Sequence, residues 1–199
     1  FPEKRYISLL EVLATVNRHS SFLDELQHWQ QRYNRKKPSQ KTFYAGIIGL
    51  GCGIGTKKMA KISQHINESE LEHTVNWYLS PENIGIANDR VLKLINKLEL
   101  PNIYRHSKEH LHTSSDGQKF EVPDDSLNAN YSYKYFGKGQ GVSVYSFIDE
   151  RNLLWYSTVI SAAERESAYV IDGLMYNDVV QSDIHSTDSH GYSETIFGI

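Results

Sequence analysis

The sequence predicts an α+β fold: a helical subdomain over residues 1–105, then part of a mixed sheet with a crossover helix over residues 106–199. Three observations lead there. Apolar residues recur at helical spacing through much of the first hundred positions. After Leu100-Pro101 the pattern changes to short alternating runs, the mark of half-buried strands. A helix-like stretch beginning near Ser161 separates the hairpin-like runs from a last short strand, as a crossover requires.

Taken in order, Tyr6 to Asn17 places Ile7, Leu10, Val12, Leu13 and Val16 close to a 3.6-residue period. Ser20 or Ser21 is positioned to cap a second helix, Phe22 to Tyr33, with Phe22, Leu26 and Trp29 on one side. Asn34 to Lys41 is basic, contains Pro38 and lacks apolar residues, so it reads as a loop or link. Thr42 to Ser63 is mixed and Gly-rich at first. Ser69–Leu79 and Ser80–Leu98 read as two further helices, the second with Pro81 at its first position. Leu111 to Ser115 reads as a short strand that stops at Asp116-Gly117, and Gln118 to Gly141 as a polar, Tyr-rich excursion. Val142–Ile148 and Leu153–Ile160 alternate and are joined by Asp149-Glu-Arg-Asn152, a hairpin. Ser161-Ala-Ala-Glu164 matches a capping box. The helix it opens would put Ala163, Ser167, Val170, Ile171 and Leu174 on one side. Val179-Val180 then leads through Ile184 to Asp188.

Bulk properties exclude several classes. With 21 Lys+Arg against 24 Asp+Glu, the net charge of −3 is not that of a free-standing nucleic-acid binder, so any DNA contact must be local. The single Cys52 leaves no internal disulfide and no Cys-rich zinc site, which fits a reducing cytoplasm. No apolar run reaches the roughly 18 residues of a membrane span. The Gly49-Leu-Gly-Cys-Gly-Ile-Gly55 run fails both phosphate-loop patterns, because position 54 is Ile and Gly55 is followed by Thr56-Lys57, so no nucleotide cofactor is expected.

The candidate site rests on two carboxylates, Asp116 and Asp188, 72 residues apart. An antiparallel meander followed by a helix returns a strand beside the first and parallel to it. Asp116 and Asp188 would then lie at the same end of adjacent strands. Paired carboxylates suit hard divalent cations, and such cations serve phosphodiester chemistry. Other readings stand beside this one. Asp before Gly is a common turn signal. Asp183 competes for the second position, and Glu194 is the one acid after Asp188 that could supply a third ligand. His112 shares a strand side with Asp116, and His190 lies near Asp188, so either could assist at the site or contact DNA. A His/Asp zinc or manganese hydrolase would use the same residues. Lys134 and Lys138, with Tyr133 and Tyr135, combine charge and stacking surface as single-strand binders do, or form a packed aromatic loop. Arg35-Lys36-Lys37 reads as a solvated loop with the option of phosphate contact.

Several long runs carry a family resemblance: Asp125 to Gly137, Trp155 to Glu164, Asp172-Gly-Leu174 and Ser186-Thr-Asp188. Arg5-Tyr-Ile7, Gly51 to Gly55 and Lys58-Met-Ala60 extend it toward the N-terminus. Together they resemble the large transposases of Tn-three-type replicative transposons, over nearly the whole chain. Ser189 stands where the family pattern has Thr. The resemblance implies a ribonuclease-H-like core with an Asp, Asp, Glu metal triad, using Mg²⁺ (or Mn²⁺) to nick DNA at transposon ends and join the 3′ hydroxyls to target DNA in the bacterial cytoplasm. Asp116 and Asp188 match the two Asp residues. The resemblance places the Glu beyond Ile199, so the chain alone is expected to be inactive. The other reading is a non-catalytic DNA-contacting or assembly module. A sheet cut before its last helix leaves apolar surface open, so self-association is expected as well.

Overall fold

A computed structural model describes residues 6–30, 37–189 and 191–198, with backbone alone at 197. The chain divides into two compact units, residues 1–97 and 98–199.

The first unit is helical. α1 spans Leu9–Ser20, and Ser8 caps it by accepting the Glu11 N–H at 3.1 Å. It starts and ends three residues later than its apolar period suggests. The helix expected over Phe22–Tyr33 does not form as such. Ser21, at φ 55°, closes α1, and only a single 3₁₀ turn, Phe22–Asp24, follows. Trp29 N–H goes instead to the Trp77 carbonyl at 3.2 Å, and the two indoles stack at 5.5 Å, so tertiary contacts replace the helical ladder. Residues 31–36, with Arg35 and Lys36, lie outside the described residues.

The Gly-rich stretch is helical, not mixed. α2 spans Gln40–Gly51, capped by Ser39, so Gln40 and Lys41 belong to a helix and not to the preceding link. Gly46 and Gly49 let α2 approach its neighbours: a Cβ at Gly46 would lie 3.1 Å from Leu79, and one at Gly49 3.3 Å from Met59. Gly53 and Gly55, at φ 64° and 78°, then turn the chain into α3, Thr56–Ile62. α4 is Glu68–Tyr78, capped by Asn67 and not by Ser69. α5 is Pro81–Ile95, capped by Ser80 with Pro81 in the first turn. Phe22, Leu23, Leu26, Phe43, Tyr44 and Tyr78 form the core, with Phe43 and Tyr78 edge to face at 5.5 Å.

The second unit is built on a mixed sheet. β1 is His112–Glu121, β2 Asn130–Tyr131, β3 Gln140–Asp149, β4 Leu154–Ser161 and β5 Ile184–Thr187. A short helix, α6, covers Tyr133–Phe136; α7 spans Ser167–Met175 and α8 Glu194–Phe197. β1 pairs antiparallel with β3, whose far side takes both β4 and the short β2. On its other side β1 pairs with β5 in parallel, Thr113 opposite His185 and Ser115 opposite Thr187. The expected meander, crossover helix and parallel return are therefore present.

Two expectations fail here. β1 does not stop at Asp116-Gly117 but runs on to Glu121, because β3 continues to pair with it through Gly141. Nor does Ser161 open a helix: it still pairs with Val142, and its hydroxyl and carbonyl take the N–H groups of Ala163 and Glu164 in a turn. Glu164 instead accepts the Tyr169 hydroxyl, and Ala163 is exposed.

α7 lies across the sheet with Ser167, Val170 and Gly173 buried. Beneath it the fully buried Phe147 ring touches Tyr145 at 5.1 Å, Trp155 at 5.1 Å and His185 at 5.7 Å. The β3–β4 turn is locked by buried Asp149, which pairs with Arg151 at 2.6 Å and accepts the N–H groups of Arg151 and Leu153. No helix among the described residues is long and apolar enough to cross a membrane.

Candidate metal centre

The register of β1 explains how its carboxylate reaches a shared site. Glu150 N–H bonds to the His112 carbonyl, so the even-numbered residues of β1 form the hydrogen-bonded pairs with β3. The odd-numbered N–H groups face the β5 side. β5 ends at Thr187, opposite Ser115, so Gly117 N–H has no strand to bond. It donates instead to Asp116 Oδ1 at 2.8 Å, which draws the carboxylate to the edge that β5 has vacated. Asp188 is the first residue past β5. Its Oδ1 accepts the Gly191 N–H at 3.1 Å, and Gly191 is packed so closely on Thr187 that no Cβ would fit.

A third acid joins them. Glu166 immediately precedes α7, and its carboxylate turns down onto the sheet over Gly117. A Cβ at Gly117 would lie 2.1–2.8 Å from the Glu166 carboxyl group, so this cradle exists because position 117 is glycine. Glu166 is 5% exposed and accepts the Ser143 hydroxyl at 3.3 Å and the Lys119 ammonium at 3.5 Å. One oxygen from each of Asp116, Glu166 and Asp188 lies within 4.8 Å of the other two. Among the described residues this is the one cluster of three or more His, Cys, Asp or Glu side chains so arranged.

The donor set fits a hard divalent cation: three carboxylates, all-oxygen, at the mouth of a cleft of about 450 Å³. Oxygen ligands about 2.1 Å from Mg²⁺ lie at most about 4.2 Å apart, so small side-chain rotations would close the three acids on such an ion. Three carboxylates with one ammonium beside them carry excess negative charge, which a divalent ion would offset.

A buried polar network underlies the acids. The Tyr145 hydroxyl bonds Ser115 at 2.7 Å and Thr187 at 3.4 Å, the residues just before Asp116 and Asp188. It thereby ties β3 to both strands that carry the site. Burial pushes the Tyr145 phenol above its ordinary pKa, and the charges of Glu166 and Asp188 add to this, so the hydroxyl stays protonated. Ser115 and Thr113 also bond the two ring nitrogens of His185, each at 2.8 Å. Burial, and then the nearby His112, hold His185 below its ordinary pKa, which favours the neutral ring.

The remaining sequence-named residues fall as follows. Asp183 and Glu194 are not in the cluster. Asp183 accepts the Leu111 N–H at 2.6 Å and so fixes the start of β1, while Glu194 opens α8. His112 Nε2 bonds the Ser186 hydroxyl at 2.7 Å. His190 lies outside the described residues. Tyr133, Lys134 and Lys138 are exposed, and Tyr135 has the Lys119 and Lys134 ammonium groups over its ring, at 4.7 and 4.9 Å. Glu166 escaped the sequence reading. The available signal was Gly117, since a glycine inside a strand marks a close approach of another group.

The family described as "Tn3 transposase DDE domain" matches residues 11–199. The chain is 26% identical over 196 residues to the transposase for transposon Tn1546 of Enterococcus faecium, covering 97% of this chain and 19% of that protein. It is 26% identical over 198 residues to the transposase for transposon gamma-delta of Escherichia coli K12, covering 97% and 19%. For the transposase for transposon Tn2501 of Escherichia coli the identity is 28% over 195 residues, covering 96% and 19%. The chain thus spans about a fifth of the length of these relatives. Its α+β architecture, a five-stranded mixed sheet with helices before and across it, is consistent with a ribonuclease-H-like DDE domain. Fold, acidic cluster and family match converge, and the chain belongs to the Tn3 transposase DDE domain family.

Proposed function

We propose that this chain is part of the catalytic core of a transposase that hydrolyses phosphodiester bonds at transposon ends and transfers the freed 3′ hydroxyls to target DNA. The observation that carries this reading is the meeting of Asp116, Asp188 and Glu166 within 4.8 Å at the end of a parallel strand pair, in a chain of this family. Asp116 and Asp188 are the residues that would hold Mg²⁺, with Mn²⁺ able to replace it. When bound, such an ion supplies Lewis-acid polarisation of the scissile phosphate and a more acidic water or hydroxyl.

The chain's own residues set the geometry. Gly117 N–H orients Asp116, and the turn to Gly191 orients Asp188. Tyr145 holds the two strand ends together from below. Glu166 comes from the crossover side, so the site is assembled only when α7 has docked. Tyr135, which lines the cleft, and the exposed Tyr133, Lys134 and Lys138 of the same segment are candidates for contacts with DNA bases and backbone. The partners implied are DNA and further copies of the protein.

The test is a Mn²⁺ titration followed by electron paramagnetic resonance. The 199-residue chain is expected to bind Mn²⁺, and Asp116→Asn and Asp188→Asn are each expected to weaken binding by at least tenfold while leaving the thermal melt in place. If both variants bind Mn²⁺ as the parent chain does, the metal assignment fails. DNA binding unchanged by chelator and by either substitution would favour a non-catalytic assembly module instead.

A further inference from the structure

Lys119 stands two positions beyond Gly117 in β1, on the same side of the strand. Its side chain is 16% exposed, largely enclosed between the acidic wall of the cleft and Tyr135. The ammonium makes two loose contacts: 3.5 Å to Glu166 Oε1, the outer limit of a hydrogen bond, and 4.7 Å to the centre of the Tyr135 ring. Neither contact fixes the group tightly, and a lysine stem has four rotatable bonds. The Lys119 ammonium also touches the carboxylate that faces the proposed ion position. A divalent cation there would repel it at short range. The direction left open is the cleft itself, where a DNA phosphate would have to lie to reach the acids. Lys134, above the same tyrosine ring at 4.9 Å, adds a second positive charge beside that path.

We propose that Lys119 is a movable counter-cation of this site: it pairs with Glu166 when the acids hold no metal, and turns to a phosphate oxygen of DNA when they do. The inference rests on the metal-site reading above. Lys119 is thus both a brake on metal binding in the absence of DNA and a phosphate contact in its presence. Metal and DNA then bind cooperatively, since a phosphate accepts the ammonium that the ion displaces.

The experiment compares the parent chain with Lys119→Met, which keeps the length of the stem, and Lys119→Arg, which keeps the charge; Lys119→Gln replaces the Met variant if a thermal melt shows that one unfolded. Mn²⁺ affinity is measured without DNA by electron paramagnetic resonance. Affinity for a short duplex is measured by fluorescence anisotropy across a salt series, with Mn²⁺ and with chelator. Lys119→Met is expected to bind Mn²⁺ about tenfold more tightly than the parent, and Lys119→Arg about equally. With Mn²⁺ present, the salt dependence of duplex binding is expected to fall by about one unit of slope in Lys119→Met, and with chelator to change little. Equal or weaker Mn²⁺ binding by Lys119→Met overturns the proposal, as does a slope change that is the same with and without metal. A parent chain that binds no Mn²⁺ at all sinks the metal-site reading instead, and the two failures are told apart by that control.

Discussion

If the proposed function holds, Asp188→Asn in a full-length transposase built around this chain is expected to lower transposon-end cleavage on the order of 10³-fold, with Asp116→Asn doing the same. A metal ion acting as Lewis acid contributes several kcal/mol at the transition state, and each ~1.4 kcal/mol is a factor of ten in rate. Asparagine keeps the shape and the oxygen that bonds Gly117 or Gly191 N–H, so the local hydrogen bonds persist and only the charge is lost. The expected signature is a collapse of the rate with normal folding. The measurement is cleavage of a labelled end substrate under single-turnover conditions, with the thermal melt as control. A variant that cleaves within a few-fold of the parent would remove that aspartate from the catalytic group.

A second large effect is expected at a position that carries no side chain at all. Gly173→Ala should destabilise the second unit by about 2 kcal/mol, measured by urea unfolding. Helix propensity alone argues for the opposite sign, since alanine in a helix interior is worth roughly 1 kcal/mol over glycine. The deciding fact is contact: a Cβ at position 173 would lie 2.3–2.7 Å from the Phe147 ring. That ring is fully buried among Tyr145, Trp155, Tyr156 and His185 and has nowhere to go. α7 must lift, and Glu166 at its N-terminus lifts with it, so Mn²⁺ affinity should fall alongside stability. A stabilised Gly173→Ala would show that α7 packs on Phe147 too loosely for a Cβ to clash.

The parallel return that brings the two aspartates together is legible in the sequence because the content between them, a hairpin and one helix, leads to it. The strand that carries Asp116 was only half legible. Asp-Gly reads as a turn when it stands alone, yet here β3 pairs through it, and what ends at this point is the neighbouring β5. The same long-range pairing misled the reading at Ser161. Its hydroxyl, with Glu164 three positions on, mimics a helix start, but strand pairing with Val142 claims the residue first. Glu166 lies inside the stretch expected to be helical from Ser161 and is not singled out by the sequence. Only the docking of α7 over Gly117 turns it into a third carboxylate, and no local pattern encodes that distance. In the helical unit, the glycines of α2 hid a helix because they weaken propensity while permitting contacts as close as Gly46 with Leu79. Caps with a side-chain oxygen followed by proline, such as Ser80-Pro81, were read correctly because their signal is entirely local.

In the proposed site Asp116, Asp188 and Glu166 together enclose one divalent cation. Crystals of the chain grown with Mn²⁺ and measured at the manganese absorption edge test it most directly. An anomalous peak is expected in contact with carboxylate oxygens of Asp116 and Asp188, with Glu166 facing it directly or through water. A strong peak elsewhere, or none at this position at saturating Mn²⁺, would contradict it.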